Sequence, residues 1–455
     1  MKLSFLFEDK TFFKTMFKLA IPIALQNLIL SSLNLVDSII IGGLGDSAIA
    51  SVGLANQYFF LFNLLLFGIT SGSAIFTAQF WGKRDIPNIR RVLGICLVTG
   101  GTAAILFTIG GLFFPEQFIG FFSKDAVVIH MGGQYLRIIV LSYLATSITF
   151  SYSFILRSTG QVKVPMFVSV IALGINTFLN YSLVYGYFGF PKLEVKGSAI
   201  ATVIARLIEV TLLLIIVYSQ KLAVAARLSE LFDLSKSFVY RFFKITIPVI
   251  LNESMWALGV SMYAFVYGHM GTDVVASTNI SGTIEKIAWV IFLGFGNACA
   301  VMIGNKIGEH DEEAAYTYAK RFMILGPAFA MLAGILVFLS SDFILSAYKI
   351  SPTVRYYSHR NLMVFSFFLW VKVFNYISIV GILRSGGDTK FCLLLDMSGV
   401  WLIGVPLVAF GGLVLKLPVY WVYVLVYMEE VFKFTIGIPR ILSKKWINHL
   451  SLSTE

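Results

Sequence analysis

Long apolar stretches alternate with short polar connections along the whole chain. Most stretches reach or exceed the roughly 20 residues that cross a bilayer as a helix. A helix is the expected form because a spanning segment must satisfy its backbone hydrogen bonds internally. The pattern predicts twelve transmembrane helices, near residues 13–41, 48–81, 92–114, 130–157, 164–188, 197–219, 239–269, 273–306, 317–341, 355–384, 391–414 and 417–441.

The composition agrees with a membrane protein. Of the 455 residues, 58% are apolar and 13% are charged, whereas an ordinary soluble domain has roughly 25% charged residues. This excludes a soluble enzyme. Cys96, Cys299 and Cys392 lie in apolar or membrane-edge segments, so we expect inert thiols and no disulfide framework.

The net charge of +11 reflects basic residues in the connections. With the amino terminus inside, 24 of the 35 Lys and Arg residues fall on the cytoplasmic side, 7 fall outside and 4 lie within spans. Cytoplasmic loops carry this excess in membrane proteins. We therefore expect a protein of the cytoplasmic membrane with both termini in the cytoplasm. Basic residues there meet lipid headgroups, and no nucleic acid partner is expected.

The chain repeats itself at an offset of about 226 residues. The repeated features include a basic residue and a proline in spans 1 and 7, and an Ile-Leu-Arg-Ser motif after spans 4 and 10: Lys18, Pro22 and Arg157 match Lys244, Pro248 and Arg384. This predicts an all-α membrane protein with two six-helix lobes, related by a pseudo-two-fold axis along the membrane normal, and a substrate path between them. The lobes are residues 1–219 and 239–455, and a cytoplasmic linker covers 220–238.

The sequence lacks the motifs of ATP-driven transport through a phosphate loop and of two classes of hydrolytic reaction. The chain has no GxxxxGK[ST] phosphate loop, no HExxH metal motif and no GxSxG nucleophile motif. We expect no enzymatic activity and no cofactor, and an ion gradient is the remaining energy source. The coupling ion is sodium or a proton.

Carboxylates inside spans are costly and need a partner or a function. Basic residues one helical turn away can neutralise Glu209, Glu429 and Glu430, which favours structural ion pairs. Asp396 is expected near the cytoplasmic end of its span, close to water. Asp37 and Glu253 have no basic residue three or four positions away.

Asp37 has neutral oxygen donors predicted at the same depth. Asn176 and Asn180 share one face of span 5, and Thr202 enters span 6 from the outside. Asn34 lies on the same face of span 1 as Asp37. One carboxylate with several neutral oxygens suits sodium, and the carboxylate alone suits a proton. The alternative is a polar network that only holds helices together.

The second lobe does not copy these carboxylates. Asp37 aligns with Tyr263, and Glu253 aligns with Asn27. We expect Glu253 near the middle of the membrane, where Glu285 and Lys372 can face it and form an acidic region for substrate. For Glu285, substrate contact and an internal ion pair remain equal alternatives.

The whole chain resembles the multidrug and toxic compound extrusion (MATE) family. The resemblance rests on IPIALQNLILSSLNLVDSIIIGGLG, INTFLNYSLVYG with VKGSAIAT, and the ILRSTG and ILRSGGDTK motifs. It implies that Asp37, Asn176 and Thr202 occupy the first-lobe cation site and that Glu253 is the acidic residue of span 7. Two positions depart from the family pattern. Asn180 replaces a second carboxylate. Some members carry an acid in span 10 near Val373, and the nearby charge here is that of Lys372.

The resulting hypothesis is a secondary antiporter that exports organic, amphipathic and often cationic compounds in exchange for sodium or protons. Its expected partners are small molecules and the bilayer, and we expect a monomer. A flippase for a lipid or a lipid-linked sugar is the first alternative. A membrane-embedded structural or sensor protein is the second.

Overall fold

The computed structural model describes residues 9–450, except for the side chain of Asn34. Within this range the chain is helical and contains no β-strand. Eleven of the described helices are long and apolar enough to cross a membrane: α1 (Lys10–Gly42), α2 (Asp46–Gly82), α3 (Ile86–Phe113), α4 (Ala126–Ser158), α5 (Lys163–Tyr185), α6 (Glu194–Ser219), α7 (Lys236–Met270), α8 (Thr272–Gly308), α9 (Glu312–Ser346), α10 (Pro352–Leu383) and α11 (Thr389–Val414).

A twelfth long helix, α12, spans Val419–Leu442. It is also mainly apolar, but Glu429, Glu430 and Lys433 lie within two turns of one another. These charges set it apart from the other eleven helices. The predicted all-helical fold with twelve long apolar segments is confirmed.

Two short helices lie between long ones, at Pro115–Phe122 and Leu228–Leu231. Three stretches of the long helices have π-helical turns: Ile377–Leu383 in α10, and Ser398–Gly404 and Phe410–Val414 in α11. Such wider turns occur frequently at functional sites. α11 is therefore the most irregular of the long helices in the described chain.

The described residues form two compact units. The first unit comprises residues 25–77 and 85–246. The second unit comprises residues 78–84 and the described parts of 1–24 and 247–455. The sequence-based lobe boundaries at 219 and 239 stay predictions.

The first unit has an aromatic and aliphatic core. Phe62 and Tyr143 stack with their ring centroids 4.5 Å apart, and both side chains are fully buried. Leu66, Leu136 and Ala199 belong to the same core. This packing joins helices α2, α4 and α6 of the first unit.

The connection between α6 and α7 is held against α3. Arg90 forms an ion pair with Glu230 at 2.5 Å, and Arg91 forms one with Asp233. The Arg227 backbone N–H and the Arg90 guanidinium hold the pKa of the Glu230 carboxyl below its ordinary value. The connection is thus anchored by charges at the surface of the first unit.

The second unit is closed by the residues that follow α12. Trp446 is fully buried, and its indole Nε1 donates to the Ile441 carbonyl at 3.0 Å. Gln79 donates to the carbonyls of Ser385 and Asn448 at 3.0 and 3.1 Å. This segment therefore packs as part of the second unit.

Candidate functional site

The structure brings Asp37, Asn176, Asn180 and Thr202 together within the first unit. The Asn180 amide Nδ2 donates to Asp37 Oδ1 at 2.5 Å. One turn earlier on α5, the Asn176 Nδ2 donates to Thr202 Oγ1 at 3.1 Å. Asp37 is partly buried, and both asparagines are fully buried. The side chain of Asn34, predicted on the same face, lies outside the described residues.

Both asparagines direct their amide nitrogens at other site residues and leave their oxygens without a donor. Asn176 Oδ1 and Asn180 Oδ1 have no hydrogen-bond partner among the described residues. The nearby Ser198 hydroxyl is also buried without one. Buried polar groups are almost always hydrogen-bonded, so two unsatisfied carbonyl oxygens beside a carboxylate form an electronegative site that fits a small cation.

The end of α1 is fixed against α5 close to Asp37. The Tyr185 hydroxyl donates to the Ile40 carbonyl at 2.6 Å. Gly43 makes room for this contact, because a Cβ at this position would lie 2.1 Å from the Tyr185 hydroxyl oxygen. The contact sets the position of Asp37 relative to the two asparagines.

A second polar network crosses the same unit. The buried Arg157 donates from Nε and Nη2 to Gln26 Oε1 at 3.1 and 2.7 Å. Gln26 donates to Ser169 Oγ at 3.3 Å, and Ser169 donates to Glu209 Oε1 at 3.1 Å. The expected pair of Arg206 and Glu209 is present at 2.7 Å. Sequence reasoning missed the buried Arg157 and Gln26, although the repeated Ile-Leu-Arg-Ser motif was a signal.

Glu253 has a basic partner from elsewhere in the second unit. Arg384, the residue after α10, places its Nη1 2.7 Å from Glu253 Oε1. The side chain of Glu253 is 15% exposed and that of Arg384 is 3% exposed. Glu253 is therefore not a lone carboxylate, although no basic residue lies three or four positions away, because its partner is 131 positions away in the chain.

Glu285 and Lys372 make other contacts. The Tyr423 hydroxyl donates to Glu285 Oε1. The Lys372 ammonium lies 5.1 Å from the centroid of the Trp289 ring, in the range of a cation–π contact. Glu285 and Lys372 thus line an aromatic region, and the ion pair of Glu253 is with Arg384.

Asp396 is more enclosed than the sequence predicted. It is 9% exposed, and the Lys433 ammonium lies 3.1 Å from its Oδ1. The expected pair of Lys433 and Glu429 is present at 3.5 Å. Asp396 therefore takes part in a buried charge cluster, and its place near the cytoplasmic end of the span stays a prediction.

The described residues contain no group of three or more His, Cys, Asp or Glu side chains placed to hold a metal ion. The three cysteines are buried and free. The strongest cation candidate is therefore the mixed carboxylate and amide site at Asp37.

The MatE sequence model matches residues 22–182 and again 248–410. The chain belongs to the MatE family. The two matches begin as far apart as the internal offset of 226 residues, so both halves of the repeat match the same family model. Because MatE proteins are transporters, the prediction that the chain is not an enzyme is confirmed.

MatE relatives match nearly the whole chain. The probable multidrug resistance protein NorM of Thermotoga maritima is 22% identical and is aligned over 97% of this chain and 95% of its own length. The probable multidrug resistance protein YoeA of Bacillus subtilis is 25% identical, over 85% and 84%. A crystal structure of MATE in complex with MaL6 matches with a TM-score of 0.87 and 19% identity, over 97% of this chain and 98% of the other.

Proposed function

We propose that this MatE transporter is a secondary antiporter of the cytoplasmic membrane. It exports organic, amphipathic and often cationic compounds in exchange for sodium or protons, by alternating access, and it acts as a monomer with both termini in the cytoplasm. The names of the relatives from Thermotoga maritima and Bacillus subtilis support multidrug export. The excess of basic residues on one side of the spans supports the orientation.

The coupling ion binds at Asp37. The observation that carries this proposal is the pair of buried, unsatisfied oxygens of Asn176 and Asn180 beside the Asp37 carboxylate. Sodium is a hard cation that takes oxygen ligands, and the Asp37 carboxylate, the two amide oxygens and the Thr202 hydroxyl supply them. A proton would need only the carboxylate.

Neutralisation of the site links ion binding to transport. The ionised Asp37 leaves a negative charge in a partly buried site, and a bound cation or proton removes this electrostatic cost. Exchange follows if cation binding and substrate binding favour opposite openings of the transporter. Release of the exported compound is then driven by the inward gradient of the coupling ion.

The variant Asp37→Asn tests the proposal. It keeps the size of the side chain and removes the charge, so we expect export of a cationic dye from vesicles to fall at least tenfold under an imposed gradient. Asp46→Asn is the matched control, because Asp46 is an exposed acid at the start of α2. Export by Asp37→Asn at the wild-type rate would contradict the coupling role.

Collapse of the gradient identifies the ion and the cargo. If addition of dye collapses a sodium gradient equally at every pH, the coupling ion is sodium. If it collapses a pH gradient in the absence of sodium, the coupling ion is a proton. A flippase would instead move a labelled lipid in the same vesicles and leave both gradients unchanged on addition of dye. That result would reject the antiporter proposal.

A further inference from the structure

The second unit contains a cluster of buried charges that the proposed transport cycle leaves unused. Asp396 on α11 and Glu429 and Lys433 on α12 are 9%, 4% and 3% exposed. The Lys433 ammonium lies 3.1 Å from Asp396 Oδ1 and 3.5 Å from Glu429 Oε1. One ammonium is therefore shared by two carboxylates that belong to different helices.

Two residues of α7 complete the cluster. The Tyr263 hydroxyl donates to Glu429 Oε2 at 2.5 Å, and the Asn252 Nδ2 donates to Asp396 Oδ2 at 2.8 Å. Asn252 is 2% exposed, and its Oδ1 has no hydrogen-bond donor among the described residues. The amide directed at Asp396 thus carries an unused acceptor.

Two glycines of α11 allow its backbone to lie against the cluster. A Cβ at Gly404 would lie 2.0 Å from the Tyr263 hydroxyl oxygen and 2.7 Å from Glu429 Oε2. A Cβ at Gly399 would lie 2.7 Å from Lys433 Cε. Both glycines belong to the π-helical stretch Ser398–Gly404. This side of the cluster is therefore closed by protein, and solvent screening there is weak.

The surrounding charges do not balance the cluster. Arg384 lies near Asp396 but is committed to Glu253 at 2.7 Å. Glu430 adds another negative charge near Glu429, and its carboxylate accepts from Asn375 at 2.7 Å. Tyr427 is an uncharged neighbour. With every acid ionised, four carboxylates face two cations, and a buried charge without a counterion is expensive.

The internal repeat shows that this arrangement is specific to the second unit. Tyr263 occupies the position of Asp37, and Asp396 occupies that of Ser169. The first unit has its candidate ion site at Asp37, whereas the second unit has no acid at that position and carries its excess acid at Asp396 and Glu429. The two units therefore place different polar and charged side chains on related helical frameworks.

We propose that the second unit binds a proton at this cluster, on Glu429 Oε2. The Lys433 ammonium lies closer to Asp396 Oδ1, at 3.1 Å, than to Glu429 Oε1, at 3.5 Å, so Asp396 is the carboxylate that stays ionised. Glu429 is also the more buried of the two, at 4% exposed against 9%, and burial disfavours the charged form. A protonated Glu429 Oε2 donates to the Tyr263 hydroxyl oxygen, because a phenol can accept as well as donate.

Binding of the proton neutralises one carboxylate and leaves Lys433 paired with Asp396. The proton comes from water and returns to water, and no other bond is made or broken. Loss of the proton restores repulsion between α11 and α12. The site is separate from Asp37, and it gives the second unit its own response to pH.

Infrared spectroscopy of the full-length protein in lipid tests the site. The Asp37→Asn background removes the first-unit carboxylate, so a failure of the proposed coupling role does not affect the result. In this background we expect a carbonyl band of a protonated carboxyl that disappears as the pH is raised. The band should be lost on adding Glu429→Gln, which removes the carboxyl that binds the proton.

Asp396→Asn provides an independent variant. It leaves Glu429 and Lys433 as a balanced pair, so Glu429 no longer needs the proton and the band should again be lost at neutral pH. Glu430→Gln is the matched control on the same helix as Glu429 and should keep the band. Persistence of the band in both Asp396→Asn and Glu429→Gln would overturn the proposal. Loss of the band on adding sodium at constant pH in the Asp37→Asn background would overturn the assignment to a proton.

Discussion

At positions related by the internal repeat, the two units make the same contact with different groups. In the first unit, the Gln26 amide donates to the Ser169 hydroxyl at 3.3 Å. In the second unit, the Asn252 amide donates to the Asp396 carboxylate at 2.8 Å. The geometry of an amide on the first helix of the repeat meeting a polar group on the fifth is retained, while the charge differs.

This difference extends to the surrounding groups. Ser169 passes its hydrogen bond to Glu209, which has Arg206 as its own counterion. Asp396 has to share Lys433 with Glu429. The hydrogen bond is therefore common to both units of the fold. The placement of charged side chains distinguishes the ion site proposed for each unit.

The largest effect is expected from removal of the shared ammonium. Lys433→Met leaves Asp396 and Glu429 buried without a counterion, which should cost about 3–5 kcal/mol of unfolding free energy. Arg206→Met should cost less, about 1–3 kcal/mol, because only Glu209 loses its counterion and the Arg206 side chain is 12% exposed, against 3% for Lys433. Thermal unfolding in detergent at one scan rate measures both.

The pH dependence sharpens this test. The loss in Lys433→Met should shrink as the pH is lowered, because protonated carboxyls need no ammonium. A greater loss in Arg206→Met than in Lys433→Met would show that the two units do not differ in buried charge as the contacts indicate.

A smaller difference is expected between the two arginines of the repeated motif. Arg384 pairs with a carboxylate, Glu253, whereas Arg157 binds a neutral amide, Gln26. A double-mutant cycle with Arg384→Gln and Glu253→Gln should give a coupling energy of about 3 kcal/mol. The cycle with Arg157→Gln and Gln26→Leu should give about 1.5 kcal/mol. Equal coupling energies would show that charge does not distinguish these two contacts.

The helices were largely predictable because their apolar runs are long. The first span was predicted at 13–41 and is observed at Lys10–Gly42. The third was predicted to begin at 92 but begins at Ile86, since the Asp85 side chain caps the helix by accepting from the Asn88 N–H. Hydropathy does not detect such a polar, capped turn, because it lies outside the apolar part of the span.

The candidate site was predictable only in part. Asn176 and Asn180 could be placed on one face because a helix returns to the same side after four residues. The partner of Glu253 could not be found this way, since Arg384 follows a different helix. Distant pairs depend on how helices pack, and apolar periodicity does not determine which polar groups then meet.

The smallest effect is expected at the surface of the first unit, at Glu230. Because the pKa of Glu230 is lowered on folding, mainly by the hydrogen bond from the Arg227 backbone N–H, its stabilisation is present above the ordinary pKa of the carboxyl. It is lost as the pH falls through the lowered pKa.

Glu230→Gln should therefore speed hydrogen exchange in residues 222–233 slightly at pH 7 and should remove the acid dependence of that exchange. Since Arg90 and Glu230 are 24% and 38% exposed, added salt should reduce the difference from wild type. Glu116→Gln, which alters a more exposed pair with Arg137, is the control and should leave this segment unchanged. A salt-insensitive effect at Glu230 as large as that of Lys433→Met would contradict the distinction between this surface ion pair of the first unit and the buried charge cluster of the second.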